Sequence, residues 1–290
     1  MQKLSASFSP YRPACWLRVA GPDAYNFIQG QFTNDVKTAG EGQGVYGLWL
    51  SQKGKMLADG FVLRVGPEEF RVFSYFSEAG VVRQRLEDYL VADEVVIEDL
   101  TADWAGVSVL GAEAGSWLQA LSPRQGVVFA GRRTRGENWE WLFPAAAAEE
   151  VHAHFAGCRS LDATELERLR ISASIPAVPR DAGPGELPIE AGLDDDAISS
   201  TKGCYLGQEI IARLKSRGSA RRGLFRIRGE GPVPPLPAAL TADGRPAGEL
   251  RSVAPGPDGT GYTGLALLVL RDLAKDRPLA LPSGSSVEIG

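Results

Sequence analysis

The chain has 290 residues, 44% of them hydrophobic and 23% charged, which is the composition of an ordinary soluble globular protein with a large core. Its formal net charge of −5 gives no whole-protein reason to expect nucleic acid or a membrane surface as a direct partner. The sequence contains no run of about 18 apolar residues and no apolar leader. We therefore expect no transmembrane helix and take the cytoplasm as the expected compartment.

The cysteines and histidines do not form a metal-binding pattern. Cys15, Cys158 and Cys204 are far apart and make no C-x-x-C motif, which argues against a disulfide framework or a zinc ribbon. His152 and His154 would face away from each other on one helix, where a shared metal needs a spacing of about three or four residues. No metal site is predicted.

Apolar patterning predicts several short strands in the first half of the chain. These predicted strands are residues 14–19, 44–50, 55–65, 70–76, 95–100, 107–110 and 138–143. In the last of them, Trp139, Trp141 and Phe143 share one face at a period of two. Such a stripe could stack on a ligand, but more often it belongs to the core.

Local signals predict the helices that follow these strands. Predicted helices begin at Pro22, after Ser77 as the expected N-cap, at Gly115, after Asp162 and at Gly207. Asp162 and Glu165 have the spacing of a capping box. Gly218 is placed to end the last of these helices.

The pattern changes after Gly218. From Arg221 onward the chain consists of short apolar stretches broken by glycine and proline, which is typical of a small all-β module such as a barrel. We therefore predict a mixed α/β region over residues 1–218 and a C-terminal β-barrel over residues 219–290.

Residues 201–213 carry the densest chemical signal in the sequence. Cys204 lies between two glycines, two residues after Lys202 and shortly before a predicted helix start. A helix dipole and a nearby ammonium both favour a thiolate, so this segment could present a reactive thiol. From the residue types alone, a reactive thiol and a buried structural cysteine in a turn are equally favoured.

Four segments resemble one known family. Residues 202–209 read K-G-C-Y-L-G-Q-E, which resembles the K-G-C-Y-x-G-Q-E signature of the YgfZ family. Residues 27–36, F-I-Q-G-Q-F-T-N-D-V, resemble its F-L-Q-G-x-x-T-N-D-V motif, and residues 53–59, K-G-K-M-L-A-D, resemble its G-R-x-x-x-D hairpin. Residues 187–194 resemble the segment that precedes the signature. The resemblance covers nearly the whole chain.

This resemblance implies a fold and a function. The family is similar to the glycine-cleavage aminomethyltransferase, so the expected fold is α+β, a three-lobed ring around a central folate hole with a C-terminal β-barrel. It implies tetrahydrofolate as the cofactor. It also implies a role in assembling or maintaining iron–sulfur clusters in client enzymes, including a tRNA-thiolating enzyme.

The resemblance also suggests two carboxylates as site residues. Glu190 matches the position of a pterin-binding glutamate, and one carboxylate can accept the two adjacent N–H bonds of a pterin edge. The alternative is a solvated loop acid. Asp59 is the candidate acid–base group, but the transferases carry two adjacent aspartates where this chain has Ala58 and Asp59. Classical aminomethyl transfer is therefore doubtful and is kept as the alternative function.

The remaining candidate site residues lie in two of the four segments. Within the signature, Cys204 and Lys202 are the further candidate catalytic residues, and Tyr205 and Gln208 are candidate folate contacts. Asn34 and Asp35 either line the folate hole or merely cap and turn the chain. A basic run could attract a polyglutamyl folate tail or an anionic partner such as RNA, or it could be a solvated helix face and strand edge. The run comprises Arg213, Lys215, Arg217, Arg221, Arg222, Arg226 and Arg228.

Overall fold

The computed structural model describes residues 6–38, 40, 42–121, 125–218, 220–273 and 278–290. The α-helices in these ranges are α1 Ala24–Gln31, α2 Ala79–Glu87, α3 Ala114–Leu121, α4 Ala148–Ala153, α5 Ala163–Ser172 and α6 Gln208–Arg217. The strands are β1 Ser7–Tyr11, β2 Cys15–Ala20, β3 Gly44–Leu50, β4 Met56–Gly66, β5 Glu69–Ser74, β6 Val96–Asp99, β7 Trp104–Leu110, β8 Val127–Ala130, β9 Asn138–Pro144, β10 Arg159–Ser160, β11 Arg222–Gly229, β12 Ala238–Ala242, β13 Arg245–Pro255, β14 Tyr262–Val269, β15 Leu279–Ala280 and β16 Ser286–Ile289. Among the described helices, none is long and apolar enough to cross a membrane.

The first lobe is a five-stranded antiparallel sheet in the order β3-β4-β5-β2-β6, with α1 and α2 packed against it. In α1, the helical period turns Ala24, Phe27 and Ile28 toward the sheet, where all three are buried. Phe32 follows the helix directly and is also fully buried. The predicted strand–helix–hairpin order of this lobe is confirmed.

The second lobe is a five-stranded sheet in the order β10-β1-β7-β9-β8. Trp141 and Phe143 of β9 are buried in its core, and Trp139 packs partly buried against them, so the aromatic stripe belongs to the core. The sequence did not predict β1, because Pro10 weakens a strand pattern. Pro10 is tolerated because β10 pairs only with Ser7 and Phe8 and leaves that edge of β1 open at Pro10.

Helix α5 begins at the predicted capping box and packs on the barrel. The Asp162 carboxylate accepts a hydrogen bond from the Glu165 N–H at 2.8 Å, and the Glu165 carboxylate accepts one from the Asp162 N–H at 3.0 Å. Further along α5, Arg170 Nη1 donates to Asp181 Oδ2 at 2.6 Å, and Arg170 Nη2 donates to Ser252 Oγ of β13 at 2.9 Å. One buried guanidinium thus joins the helix, the following loop and the barrel.

The third lobe is the predicted barrel. Strands β11-β14-β13-β12-β15-β16 form a closed barrel, whose interior contains Ile227, Leu240, Leu250 and Leu268. Helix α6 ends at Gly218, which has a φ of 79°, and β11 begins shortly afterwards. The expected α+β architecture of three lobes with a C-terminal barrel is confirmed.

Candidate functional site

The signature forms an exposed loop in front of α6, which we call the Cys204 loop (residues 201–207). Cys204 is exposed and has a free thiol, whereas Tyr205 beside it is buried in an apolar cluster. Gly207 has a φ of 86° and leads directly into α6, which begins at Gln208. The loop therefore presents the cysteine to solvent while its neighbour anchors the backbone.

Lys202 fastens the Cys204 loop to the end of α1. Its Nζ donates to the carbonyl oxygens of Gln29 at 2.7 Å, Phe32 at 2.6 Å and Asn34 at 3.0 Å. Carbonyls at the end of a helix lack an intrahelical partner, and a lysine ammonium satisfies them. Two family motifs 173 residues apart in the sequence are thus one structural unit.

The hairpin motif packs against the same loop. A Cβ atom on Gly207 would lie 2.8 Å from the carbonyl oxygen of Ser51 and 3.1 Å from the Cα atom of Gly54. A Cβ atom on Gly54, whose φ is 68°, would lie 3.1 Å from the Ile210 side chain of α6. Only glycine permits this close approach. The three motifs therefore converge on the Cys204 loop.

The contacts of Lys202 differ from the role predicted for it. Burial lowers the pKa of Lys202 to about 8, so the amine is still protonated at neutral pH, and three carbonyl acceptors match its three N–H bonds. Its Nζ also lies 5.4 Å from the centroid of the Tyr205 ring. Among the described residues, no hydrogen bond joins Lys202 to the sulfur of Cys204. The catalytic role of Lys202 stays a prediction, and its observed contacts are structural.

Replacing Lys202 by methionine is expected to lower the free energy of unfolding by about 1.5–3 kcal/mol, since buried carbonyls lose a charged donor. Urea unfolding at neutral pH measures this change. Lys215→Met is the matched control, because Lys215 is exposed and donates to the Asp194 carbonyl at 3.2 Å. We expect the control to change stability by less than about 0.5 kcal/mol. Equal effects of the two substitutions would contradict the structural role of Lys202.

Tyr205 and Gln208, the other two signature residues, differ in exposure. Burial raises the pKa of Tyr205 to about 12, and its ring packs in the cluster that contains Leu50 and Ile211. Gln208 is partly exposed at the first position of α6. Their roles as folate contacts stay predictions.

Asn34 and Asp35 make the contacts of a chain turn. Asn34 Nδ2 donates to the Tyr46 carbonyl at 2.8 Å, and its Oδ1 accepts from the Asp35 N–H at 2.9 Å. Asp35 Oδ1 accepts from Gln29 Nε2 at 2.8 Å and from the Lys37 N–H at 3.0 Å. These bonds correspond to the second of the two predicted roles, and a ligand contact stays a prediction.

Asp59 lies inside the first lobe rather than on an open surface. Its carboxylate accepts hydrogen bonds from Tyr46 Oη at 2.9 Å, Ser77 Oγ at 2.9 Å and Ser74 Oγ at 3.2 Å. Burial raises the pKa of Asp59, while these hydroxyl donors act in the opposite direction. Proton exchange with a ligand would first require one of these hydroxyls to move.

The same network corrects one predicted helix cap. Ser77 was expected to cap α2, but the residue at that position is Glu78, which makes no side-chain capping bond. The Ser77 hydroxyl instead faces Asp59 and the Val178 carbonyl oxygen, at 2.9 and 3.0 Å. A buried carboxylate needs such donors, and this need overrides the local capping preference.

Glu190 lies in a groove of about 1060 Å³ between the 3₁₀ helix Pro188–Ala191, α6 and the barrel, which we call the Glu190 groove. Arg222 donates from Nε to Glu190 Oε1 at 3.0 Å and from Nη2 to Oε2 at 3.2 Å. The Leu187 N–H also donates to Oε2 at 2.8 Å. The Arg222 guanidinium thus binds both carboxylate oxygens of Glu190, which a pterin edge was predicted to use.

Two arginines of the predicted basic run bind groups outside the barrel. Arg222 pairs with Glu190 and Glu186, and Arg226 Nη1 donates to the Ser172 carbonyl at 3.0 Å. These two arginines fasten the barrel to the rest of the chain. The side chain of Arg217 lies outside the described residues.

A second cavity, of about 680 Å³, lies where the three lobes meet, and we call it the three-lobe cavity. Its lining includes Phe76 of the first lobe, Tyr11 and Arg133 of the second, Glu167, Arg170 and Arg180 around α5, and Val253 of the barrel. Glu190 lies in the other groove. Sequence reasoning missed the arginines of this cavity, because single arginines in separate segments of the chain form no pattern.

The architecture is that of an aminomethyltransferase. The crystal structure of glycine cleavage system aminomethyltransferase T from Bartonella henselae matches with a TM-score of 0.81, covering 98% of this chain and 84% of that chain. At 17% sequence identity, this likeness establishes the shared fold.

Sequence comparison defines the family more narrowly. Family models described as the GCVT N-terminal domain and the CAF17 C-terminal beta-barrel domain match residues 15–131 and 221–289. The chain is 31% identical over 277 residues to the mitochondrial iron–sulfur cluster assembly factor IBA57 of Homo sapiens, covering 87% of this chain and 74% of that protein. It is 32% identical over 256 residues to the tRNA-modifying protein YgfZ of Edwardsiella ictaluri (strain 93-146), covering 78% and 76%. The chain belongs to the YgfZ/GcvT-like family.

Proposed function

We propose that this protein binds tetrahydrofolate and takes part in assembling or maintaining iron–sulfur clusters in client enzymes, tRNA-modifying enzymes among them. The cytoplasm remains the expected compartment. The observation that carries the proposal is the convergence of three motifs, distant in sequence, at the loop that exposes Cys204. Two relatives support it, since one is named an iron–sulfur cluster assembly factor and the other a tRNA-modifying protein.

The folate part of the proposal is supported by the fold and by a cavity. The fold is shared with an aminomethyltransferase. The three-lobe cavity, at about 680 Å³, has the size of a pocket for a small organic ligand. It is lined by all three lobes, as expected for a central ligand hole.

The three-lobe cavity is a better folate site than the Glu190 groove. A pterin edge and a guanidinium present the same kind of paired N–H donors, and Arg222 already fills this role at Glu190. A pterin at Glu190 would have to displace a charged partner. We therefore place the folate in the three-lobe cavity and keep the Glu190 contact as the competing prediction.

Two blocking substitutions test this location. Ala163 is exposed and lines the three-lobe cavity, whereas Ala220 is partly exposed and lines the Glu190 groove. We expect Ala163→Trp to weaken tetrahydrofolate binding at least about tenfold because the indole fills ligand space, and Ala220→Trp to leave it within about twofold. Isothermal titration calorimetry measures both affinities.

The opposite pattern would place the folate at Glu190. In that case Ala220→Trp weakens binding, and Glu190→Gln weakens it by about ten- to a hundredfold through loss of a charged acceptor. Absence of tetrahydrofolate binding by the parent protein would refute the folate part of the proposal. An assay for aminomethyl transfer tests the alternative function, in which at least one hydroxyl donor of Asp59 would have to move away.

A further inference from the structure

We propose that Arg133 anchors a carboxylate of the folate's glutamate arm in the three-lobe cavity, an inference that rests on the folate binding proposed above. Arg133 lies in the second lobe, between β8 and β9, and lines the cavity. Its side chain is only 10% exposed. A guanidinium held at the wall of a cavity with unused donors is suited to bind an anion.

Two tyrosine rings hold the guanidinium in place. Arg133 Cζ lies 3.9 Å from the centroid of the Tyr75 ring and 4.6 Å from the centroid of the Tyr11 ring. Arg133 Nε donates to Ser108 Oγ at 3.0 Å. The two cation–π contacts and this hydrogen bond hold the guanidinium in place before any ligand arrives, which reduces the entropy lost on binding.

The buried carboxylate of Glu140 holds two of the side chains that contact Arg133. Glu140 is fully buried and accepts hydrogen bonds from Tyr75 Oη at 2.7 Å and Ser108 Oγ at 2.8 Å. Arg133 Nε lies 3.9 Å from Glu140 Oε1, which is too long for a hydrogen bond. Glu140 therefore orients the tyrosine and the serine and leaves the outer edge of the guanidinium unused.

The terminal nitrogens of Arg133 are the ones left for a ligand. Within the described residues, Nη1 and Nη2 of Arg133 have no hydrogen-bond acceptor. Arg170 in the same cavity differs, because its nitrogens donate to Glu167, Asp181 and Ser252. Arg180 donates to Glu167 and is half-exposed. Of these three arginines, Arg133 is the one that is both buried and left with Nη1 and Nη2 available to bind a ligand.

The chemistry of folate decides which end of the molecule Arg133 binds. The amino-pyrimidinone edge of the pterin presents N–H donors and needs an acceptor, which a guanidinium cannot supply. The opposite end carries the carboxylates of glutamate, which match the forked donors of arginine. Arg133 therefore orients the folate with its glutamate arm toward the second lobe.

The test measures the parent and Arg133→Met with three probes: tetrahydrofolate, p-aminobenzoylglutamate, and 6-methyltetrahydropterin, which lacks the glutamate arm. We expect Arg133→Met to weaken the first two by about ten- to a hundredfold and to leave 6-methyltetrahydropterin within about twofold. Arg132→Met is the matched control, since Arg132 stacks on Tyr46 and pairs with Asp196 elsewhere. We expect it to leave all three affinities within about twofold.

The outcomes separate this inference from the proposed function. If the parent binds p-aminobenzoylglutamate and Arg133→Met does not, the result supports Arg133 as the anchor of the glutamate arm. This holds even if the parent does not bind tetrahydrofolate, and the error would then lie in the pterin part of the proposed function. Equal tetrahydrofolate affinity of Arg133→Met and the parent would overturn the anchor, as would equal weakening of all three probes. If the parent binds none of the probes, both ideas fall.

A second variant covers the case in which Arg133→Met does not fold. Arg133→Lys keeps a positive charge near Glu140 and removes the forked donors. We expect it to fold and to bind tetrahydrofolate at least about fivefold more weakly than the parent. Unchanged affinity of the folded Arg133→Lys protein would also overturn the anchor.

Discussion

Replacing Arg170 by methionine is expected to lower the free energy of unfolding by about 3–5 kcal/mol, because the substitution leaves the buried Asp181 carboxylate without its cation. The Arg170 side chain is 3% exposed and its partner Asp181 is fully buried. The same guanidinium also binds Glu167 and Ser252 of the barrel. Chemical denaturation at neutral pH, followed by circular dichroism, measures the loss.

Arg180→Met is the matched control for this prediction. Arg180 pairs with the same Glu167, but its side chain is 48% exposed. Water already solvates it, so we expect a loss below about 1 kcal/mol. If the two substitutions destabilised the protein equally, the buried Arg170 network would not be what joins α5 to the barrel.

Replacing Cys204 by serine is expected to abolish support of iron–sulfur client enzymes in cells that lack the parent gene, while folding and tetrahydrofolate affinity stay unchanged. Cys204 is exposed, so serine alters little packing and removes only the thiol. The measurement is the activity of a cluster-dependent tRNA-modifying enzyme in cells that express each variant. Full activity with Cys204→Ser would leave a folate-binding scaffold as the better interpretation.

The other two cysteines provide internal controls. Cys158 is partly exposed, and we expect Cys158→Ser to support the client enzymes as the parent does. Cys15 is fully buried, and burial strongly raises the pKa of its thiol. Alkylation of the native protein should therefore modify Cys204 first and Cys15 last. Faster modification of Cys158 than of Cys204 would contradict a reactive role for the Cys204 loop.

Local structure could be predicted from the sequence because its causes lie within a few residues of one another. The strand at residues 44–50 follows from its own apolar residues, and β3 has these bounds. The capping box of Asp162 and Glu165 needs only a spacing of three residues. Gly218 ends α6 because glycine readily adopts a positive φ. The change of pattern beyond Gly218 likewise predicted the barrel.

The prediction of the site was less complete, although the motifs were recognised. The signature pointed to the segment of residues 202–209, where Cys204 is exposed, and the functional role of this segment stays a prediction. The partners of Lys202 did not follow from the motif, because this lysine binds carbonyl oxygens 168 to 173 residues away. The sequence indicated Asp59 as a candidate acid–base residue, but it did not predict that the carboxylate is buried and bound by Tyr46 and two serines.

The sequence by itself determined the strand–helix–hairpin order of the first lobe and the all-β character of the C-terminal barrel. Through its family resemblance it also determined the three-lobed architecture and pointed to the segment that carries the exposed thiol. Only the tertiary structure decided which charges are already paired. It brought Arg222 to Glu190 and placed Arg133 against two tyrosine rings, with its terminal nitrogens unused. The physical reason is that helix and strand signals arise from neighbours along the chain. The state of a buried charge depends instead on groups that only folding brings within hydrogen-bond distance.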